Sequence, residues 1–213
     1  MTDKAKTGRF ITLEGGEGAG KSTQVKRLAA ALNKKGVAVV TTREPGGSPG
    51  AEEIRGLLVN GAPGRWDALT ETLLVFAARA DHVKCAIGPA LVADKWVISD
   101  RFSDSTYAYQ GAGRGLARET IRRIDAVVLD DFHPDLTLML DLDVETGLKR
   151  AGKRGAAESR FENFDRAFHE RLRQAFLDTA RRDPGRCLVI DAAADEVTVA
   201  AAIWDAVARR FDL

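Results

Sequence analysis

The stretch GGEGAGKST, Gly15 to Thr23, follows the apolar run RFITLE (9–14) and precedes a segment in which Val25, Leu28, Ala29 and Leu32 recur at i, i+3, i+4 and i+7. Strand, glycine-rich turn and amphipathic helix in that order are the setting of a phosphate-binding loop, and Gly15, Gly20, Lys21 and Ser22 satisfy G-x-x-x-x-G-K-[ST]. The bare pattern arises by chance in on the order of one chain in a hundred of this length, before its context is counted. Glycines let backbone N–H groups turn inward on phosphates, the helix start adds positive potential, Lys21 reaches the β- and γ-phosphates and Ser22 can ligate Mg²⁺. Gly15, Gly16, Glu17, Gly18, Ala19, Gly20, Lys21, Ser22 and Thr23 are therefore the expected ATP loop. Glu17 is its odd letter, a carboxylate in a cradle for anions. At the loop tip its side chain can point across the crevice to a second ligand.

Working outward, four more runs are almost continuously apolar: VAVVTT (37–42), KWVISD (95–100), LTLMLDL (136–142) and CLVID (187–191). That pattern suits strands buried on both faces of a parallel sheet. Helical spacing fills the intervals at Lys21–Asn33, Leu69–Ala93, Phe164–Arg181 and Glu196–Arg210. Alternation of strand and helix predicts an α/β protein of the three-layer P-loop NTPase fold, with a five-stranded parallel sheet flanked by helices. Residues 1–8 read as a disordered tail and 9–213 as a single domain. The charged, Gly- and Ala-rich KRAGKRGAAESR (149–160) reads as a mobile lid or an exposed loop, the lid spanning about 149–162.

In such folds ligands sit beyond the carboxyl ends of the strands. There the sequence places Arg43 in TREPGG, a fork for a second phosphate, and Asp100 and Arg101 in SDRF, a Mg²⁺–water ligand beside a phosphate clamp. The helix LLVFAARADH carries Arg79 with Phe76 three residues back, an arginine and an aromatic able to read a flat base, although Phe76 also suits plain core. STYAYQG (105–111) adds Ser105, Thr106, Tyr109 and Gln110, hydroxyls and an amide for a base and sugar. Asp141 and Asp143 serve equally as Mg²⁺ orienters or helix caps, and His82, His133 and His169 read as solvated or helix-surface residues.

Triphosphate binding alone leaves the reaction open. A GTPase switch is disfavoured because the nearest approach to N-K-x-D is NKKG (33–36). A kinase of another small acceptor and a slow nucleotide-hydrolysing switch remain the alternatives. With 32 basic against 31 acidic residues, no broad nucleic-acid surface is expected. Two distant cysteines, Cys85 and Cys187, no apolar leader in MTDKAKTG and no run of 18 apolar residues lead to the expectation of a cytoplasmic protein with no membrane span.

Taken together, FITLEGGEGAGKST, TREPGG, AARADHV, SDRFSDSTYAYQG, LDLDVETGLKRA and VIDA resemble the thymidylate kinase family, in order and spacing, over nearly the whole chain. The resemblance implies transfer of the ATP γ-phosphoryl group to dTMP, with Mg²⁺, in a homodimer. It assigns phosphate clamping to Arg43 and Arg101, thymine O4 to Arg79, the base or phosphate to Ser105 and Thr106, and exclusion of a ribose 2′-hydroxyl to Tyr109, with Gln110 beside it. Glu17 would accept from the sugar 3′-hydroxyl. The family's stacking Phe falls on Val75, so either Phe76 takes over with shifted geometry or the stack is weaker here. One branch carries an arginine at the position of Gly18 and the bacterial-type branch supplies it from the lid. The bacterial lid pattern points to Arg154 as the transition-state arginine, with Arg150 in reserve, beside Lys21 and Arg101 as the catalytic set.

Overall fold

The computed structural model describes residues 8–62, 64–152, 160–161 and 164–213. Five strands, β1 (Phe10–Glu14), β2 (Val39–Arg43), β3 (Trp96–Asp100), β4 (Leu136–Asp141) and β5 (Cys187–Asp191), form one parallel sheet in the order β2-β3-β1-β4-β5. Each is within two residues of its expected start. Burial on both faces holds for β1, β3 and β4, whereas the edge strands β2 and β5 are partly exposed, as half of their lateral surface has no neighbour.

Helices α1 (Lys21–Lys34) and α9 (Glu196–Phe211) cover one face. Strand residues Ile11, Leu13, Leu138 and Leu140 pack there with Leu28, Leu32, Ile203 and Val207. Alternate residues point the other way: Phe10 and Val97 meet Leu91 and Phe102, and Met139 meets Phe168, Leu172 and Phe176 of α8 (Arg166–Arg182). Each fully buried side chain of this size contributes ~1.5–3 kcal/mol of transfer free energy. Thr12 and Thr137, on that second face, hydrogen-bond each other at 2.8 Å and so satisfy their buried hydroxyls.

The expected helix over 69–93 is α3 (Ala68–His82), a π-helical turn (Val83–Ile87) and α4 (Gly88–Val92) in succession. Asp67 starts it by accepting from the Leu69 and Thr70 N–H groups. Helices α2 (Pro49–Val59), α5 (Ser103–Thr106), α6 (Arg118–Leu129) and α7 (Val144–Gly152), and a π-helical stretch at Tyr107–Gly113, complete the layers. No helix among the described residues is long and apolar enough to cross a membrane.

Candidate active site

The loop joining β1 to α1 supplies the donor side. Gly20 sits at φ 89° as the N-terminal cap of α1 and makes no side-chain cap, leaving the first helical N–H groups to a ligand. The Lys21 ammonium lies over the loop, donating to the Gly15 and Gly16 carbonyls at 3.1 and 2.8 Å. Burial and Arg101 pull its pKa down to about 8, against the opposing influence of Asp100, Glu17 and Glu14. Ser22 Oγ donates to Asp100 Oδ2 at 2.5 Å, which brings together the two expected metal ligands. Gly18 has φ 69°, and a Cβ there would lie 2.0 Å from the Gly147 carbonyl oxygen of α7. An arginine at this position, the alternative known in one branch of the resemblance, has no room in this chain.

Across the loop tip lies the acceptor side. Arg101, directly after β3, holds a left-handed backbone at φ 73°, a conformation that costs of order 1–3 kcal/mol for a residue with a side chain and persists where its surroundings impose it. Its N–H bonds the Leu13 carbonyl at 3.0 Å. Nη1 donates to the Gly15 carbonyl (2.9 Å) and Ser105 Oγ (3.2 Å), and Nη2 donates to Glu17 Oε1 (3.0 Å). The Tyr109 hydroxyl also donates to Glu17 Oε1, at 2.5 Å, and its ring lies 4.9 Å from the Arg101 guanidinium carbon. Burial alone would raise the Glu17 carboxyl, but Arg101, Lys21 and Tyr109 outweigh it and hold the pKa at about 2. Burial, helped by Glu17, drives the Tyr109 phenol well above its ordinary value in spite of Arg101. Beneath them Glu14 accepts from the Phe102 N–H (2.7 Å) and Ser105 Oγ (2.6 Å). Burial and Asp104 raise it to about 7.

From Arg101 a cavity runs along Glu17, Glu44, Pro45, Leu58, Val75, Arg79, Phe102, Ser105, Thr106, Tyr109, Gln110 and Phe161. Arg79, only 1% exposed, forms its wall. Nε donates to Glu44 Oε2 (2.7 Å), and Nη2 donates to the Phe102 carbonyl (3.1 Å) and Thr106 Oγ1 (3.0 Å). Nη1 is buried and has no hydrogen-bond partner among the described residues. A guanidinium nitrogen left so is costly unless a ligand completes it. Glu44 in turn meets His82 Nδ1 at 3.0 Å, and His82 Nε2 meets Thr42 Oγ1 at 2.7 Å.

Two expectations fail here. Phe76 does not line the cavity: its ring is buried and covered by the Arg79 guanidinium, 4.8 Å from the ring centre, and Val75 faces the cavity instead. His82 and His169 are buried, not solvated, since His82 is enclosed against Glu44 and Thr42 and His169 lies on the buried side of α8 beside Phe168; only His133 is exposed. Asp143 caps α7 by accepting from the Thr146 N–H, and Asp141 is held by Arg173 at 2.7 and 2.9 Å.

The structure therefore brings together Glu17, Lys21, Ser22, Arg79, Asp100, Arg101, Ser105, Thr106, Tyr109 and Gln110. It leaves Arg43 aside, opposite Asp100 in the sheet but exposed and paired with Glu52 at 3.1 Å. Arg150 lies on the donor side, in a groove with Gly18, Gly20, Thr23 and Asp195, donating to the Ala192 carbonyl at 3.2 Å. Arg154, most of the lid and the 1–7 part of the N-terminal tail lie outside the described residues. Sequence reading missed Glu44, Glu71, Phe161 and the burial of Arg160. Glu44 stands in the quoted TREPGG and was the one with a visible signal.

Comparison with other proteins agrees with this geometry. Residues 13–203 match the family described as Thymidylate kinase. The chain is 55% identical over 206 residues to a thymidylate kinase of Caulobacter vibrioides, covering 97% of this chain and 99% of that one. It is 50% identical over 204 residues to one of Magnetococcus marinus, with 96% and 97% covered. The crystal structure of thymidylate kinase from Ehrlichia chaffeensis superposes with a TM-score of 0.76 at 36% identity, over 94% of this chain and 98% of that one. The chain belongs to the thymidylate kinase family.

Proposed function

We propose that this chain transfers the γ-phosphoryl group of ATP to the 5′-phosphate of dTMP, giving dTDP. The observation that carries the reading is the buried, partnerless Nη1 of Arg79 on the cavity wall. It is a donor placed for a keto oxygen. Beside it Gln110 commits its NH₂ to Glu71 at 2.8 Å, so its carbonyl oxygen is left to accept. A donor next to an acceptor matches O4 and N3–H of thymine and mismatches cytosine, which reverses both. Tyr109 and Glu17 would border the sugar, Glu17 accepting from its 3′-hydroxyl. Val75, Phe102 and Phe161 supply the apolar wall.

A phosphate oxygen of dTMP attacks the γ-phosphorus as the bond to the β,γ-bridging oxygen breaks. The acceptor's second pKa is near 6, so it is mostly dianionic at neutral pH and needs no general base. The protein's task is position and charge. Arg101 faces the acceptor from between Glu17 and Ser105, and Lys21 reaches the donor from the loop. Ser22 Oγ and Asp100 Oδ2, paired at 2.5 Å, are oxygen donors suited to hold Mg²⁺ or its water. That ion would neutralise charge on the β- and γ-phosphates. Arg154 is the proposed lid arginine, and Arg150, tied to the loop after β5, is better placed to border the nucleoside of ATP.

Incubation of the protein with ATP, Mg²⁺ and dTMP, dUMP, UMP, AMP or GMP tests the reading: ADP release should be greatest with dTMP, and a maximum with UMP sinks it. Because the neutral Lys21 amine attracts phosphate less, kcat/KM for ATP should fall with rising pH through about 8, tenfold per unit beyond it. A flat profile from pH 7 to 9.5 would show that Lys21 stays charged.

The proposal includes a cytoplasmic setting and a homodimer. Leu69 and Leu73, one turn apart on α3, are 44% and 52% exposed, and Val127 on the adjoining α6 is 86% exposed. Such a stripe suits a second copy. Sedimentation should give a dimer that Leu73→Glu converts to a monomer; a wild-type monomer at micromolar concentration ends that part of the proposal.

A further inference from the structure

Glu71, on α3 two turns before Arg79, is fully buried, yet three donors from separate parts of the chain converge on its carboxylate. Gln110 Nε2 reaches Oε1 at 2.8 Å, and Arg114 Nη1 (3.3 Å) and Arg160 Nη2 reach Oε2. Arg160 is 1% exposed and also donates to the Leu58 and Ala62 carbonyls at 2.9 and 3.1 Å. Leu58 and the neighbouring Phe161 line the acceptor cavity. A buried ion pair of this kind is weak evidence of stabilisation, since apolar replacements often do as well. What it does determine is direction. Both oxygens of a carboxylate only accept, so the Gln110 amide has one orientation compatible with Glu71: NH₂ toward the carboxylate and carbonyl toward the cavity. No hydrogen bond to that carbonyl oxygen occurs among the described residues.

Building on the dTMP reading above, we propose that Glu71 is a positioning residue for acceptor specificity. By fixing the orientation of the Gln110 amide, it makes the cavity accept from a base N3–H and refuse a base whose N3 is an acceptor. It acts through Gln110 and touches no substrate itself.

The test is Glu71→Gln. The carbonyl of the new amide then serves Arg160 and Arg114, so its NH₂ faces Gln110. Two NH₂ groups cannot bond, and Gln110 must turn over and present NH₂ to the base. The expected result is a KM for dTMP raised about tenfold or more, a ratio of kcat/KM for dCMP over dTMP raised about tenfold, and KM for ATP within about twofold of wild type. The exchanged pair Glu71→Gln with Gln110→Glu again presents an acceptor to the base and keeps the cluster's charge, so it should restore the dTMP preference. An unchanged dCMP-to-dTMP ratio in Glu71→Gln, or a parallel loss with both acceptors, overturns the proposal. If Glu71→Gln fails to fold, the exchanged pair decides: a folded, dTMP-preferring enzyme supports the proposal, and a second failure to fold makes Glu71 structural only. A wild-type protein inactive on dTMP would instead overturn the functional reading, before any variant is compared.

Discussion

Arg101→Ala lowers kcat/KM for dTMP by about 10³-fold or more, within the range that arginines at transferring phosphoryl groups command. The guanidinium touches the Gly15 carbonyl, Glu17 and Ser105 at once, so it is the joint between the donor loop and the acceptor cavity. Its removal subtracts a positive charge where two phosphate chains must approach. It also releases Glu17: with its strongest stabilising charge gone, burial lifts that carboxyl from its pKa of about 2. Alanine at φ 73° is as constrained as arginine, so the comparison reads the side chain and not the backbone. Arg101→Lys keeps the charge but loses the fork and should recover only part of the rate. Steady-state kinetics at matched Tm measures this, and an alanine variant within tenfold of wild type would remove Arg101 from the reaction.

Arg79→Met should change both stability and recognition. It strips Glu44 of its guanidinium and leaves a buried carboxylate beside His82, an uncompensated charge of the kind that costs about 3–5 kcal/mol. For a chain of this length that is a fall in Tm of about 10–15 °C. It also takes the Nη1 donor off the cavity wall, with a drop in kcat/KM for dTMP of about 10²-fold. The double variant Arg79→Met with Glu44→Gln separates the two effects, since neutralising the orphaned carboxylate should return most of the Tm and none of the dTMP selectivity. Recovery of both together would show that Arg79 matters only as a structural cation.

The sheet and the donor loop were legible because local rules determine them. Apolar runs mark the strands, the loop needs its glycines at set positions, and Lys21, Asp100 and Arg101 stand at strand ends where the fold places ligands. The acceptor cavity was legible as a roll of residues but not as an arrangement. Arg43 turns to Glu52, nine residues on, and Phe76 turns inward behind Arg79. Neither outcome shows in residue type. The residues that orient the site, Glu44 for Arg79 and Glu71 for Gln110, bond partners 35 and 39 positions away. Their role exists only once α3 packs against the loops after β2 and β3. His82 illustrates the same limit: without a metal or nucleophile pattern it read as surface, and its burial follows from a carboxylate and a threonine that only the fold brings to it.

The central claim is that the Lys21 loop and the Arg79 cavity serve one phosphoryl transfer to dTMP. Incubation with ATP labelled at the γ-phosphate and equimolar dTMP tests it most directly, with the products separated and the label located. The label should appear in the β-phosphate of dTDP, one for each ADP formed, and hardly at all as inorganic phosphate. Label released as inorganic phosphate at the same rate with or without dTMP would contradict the account.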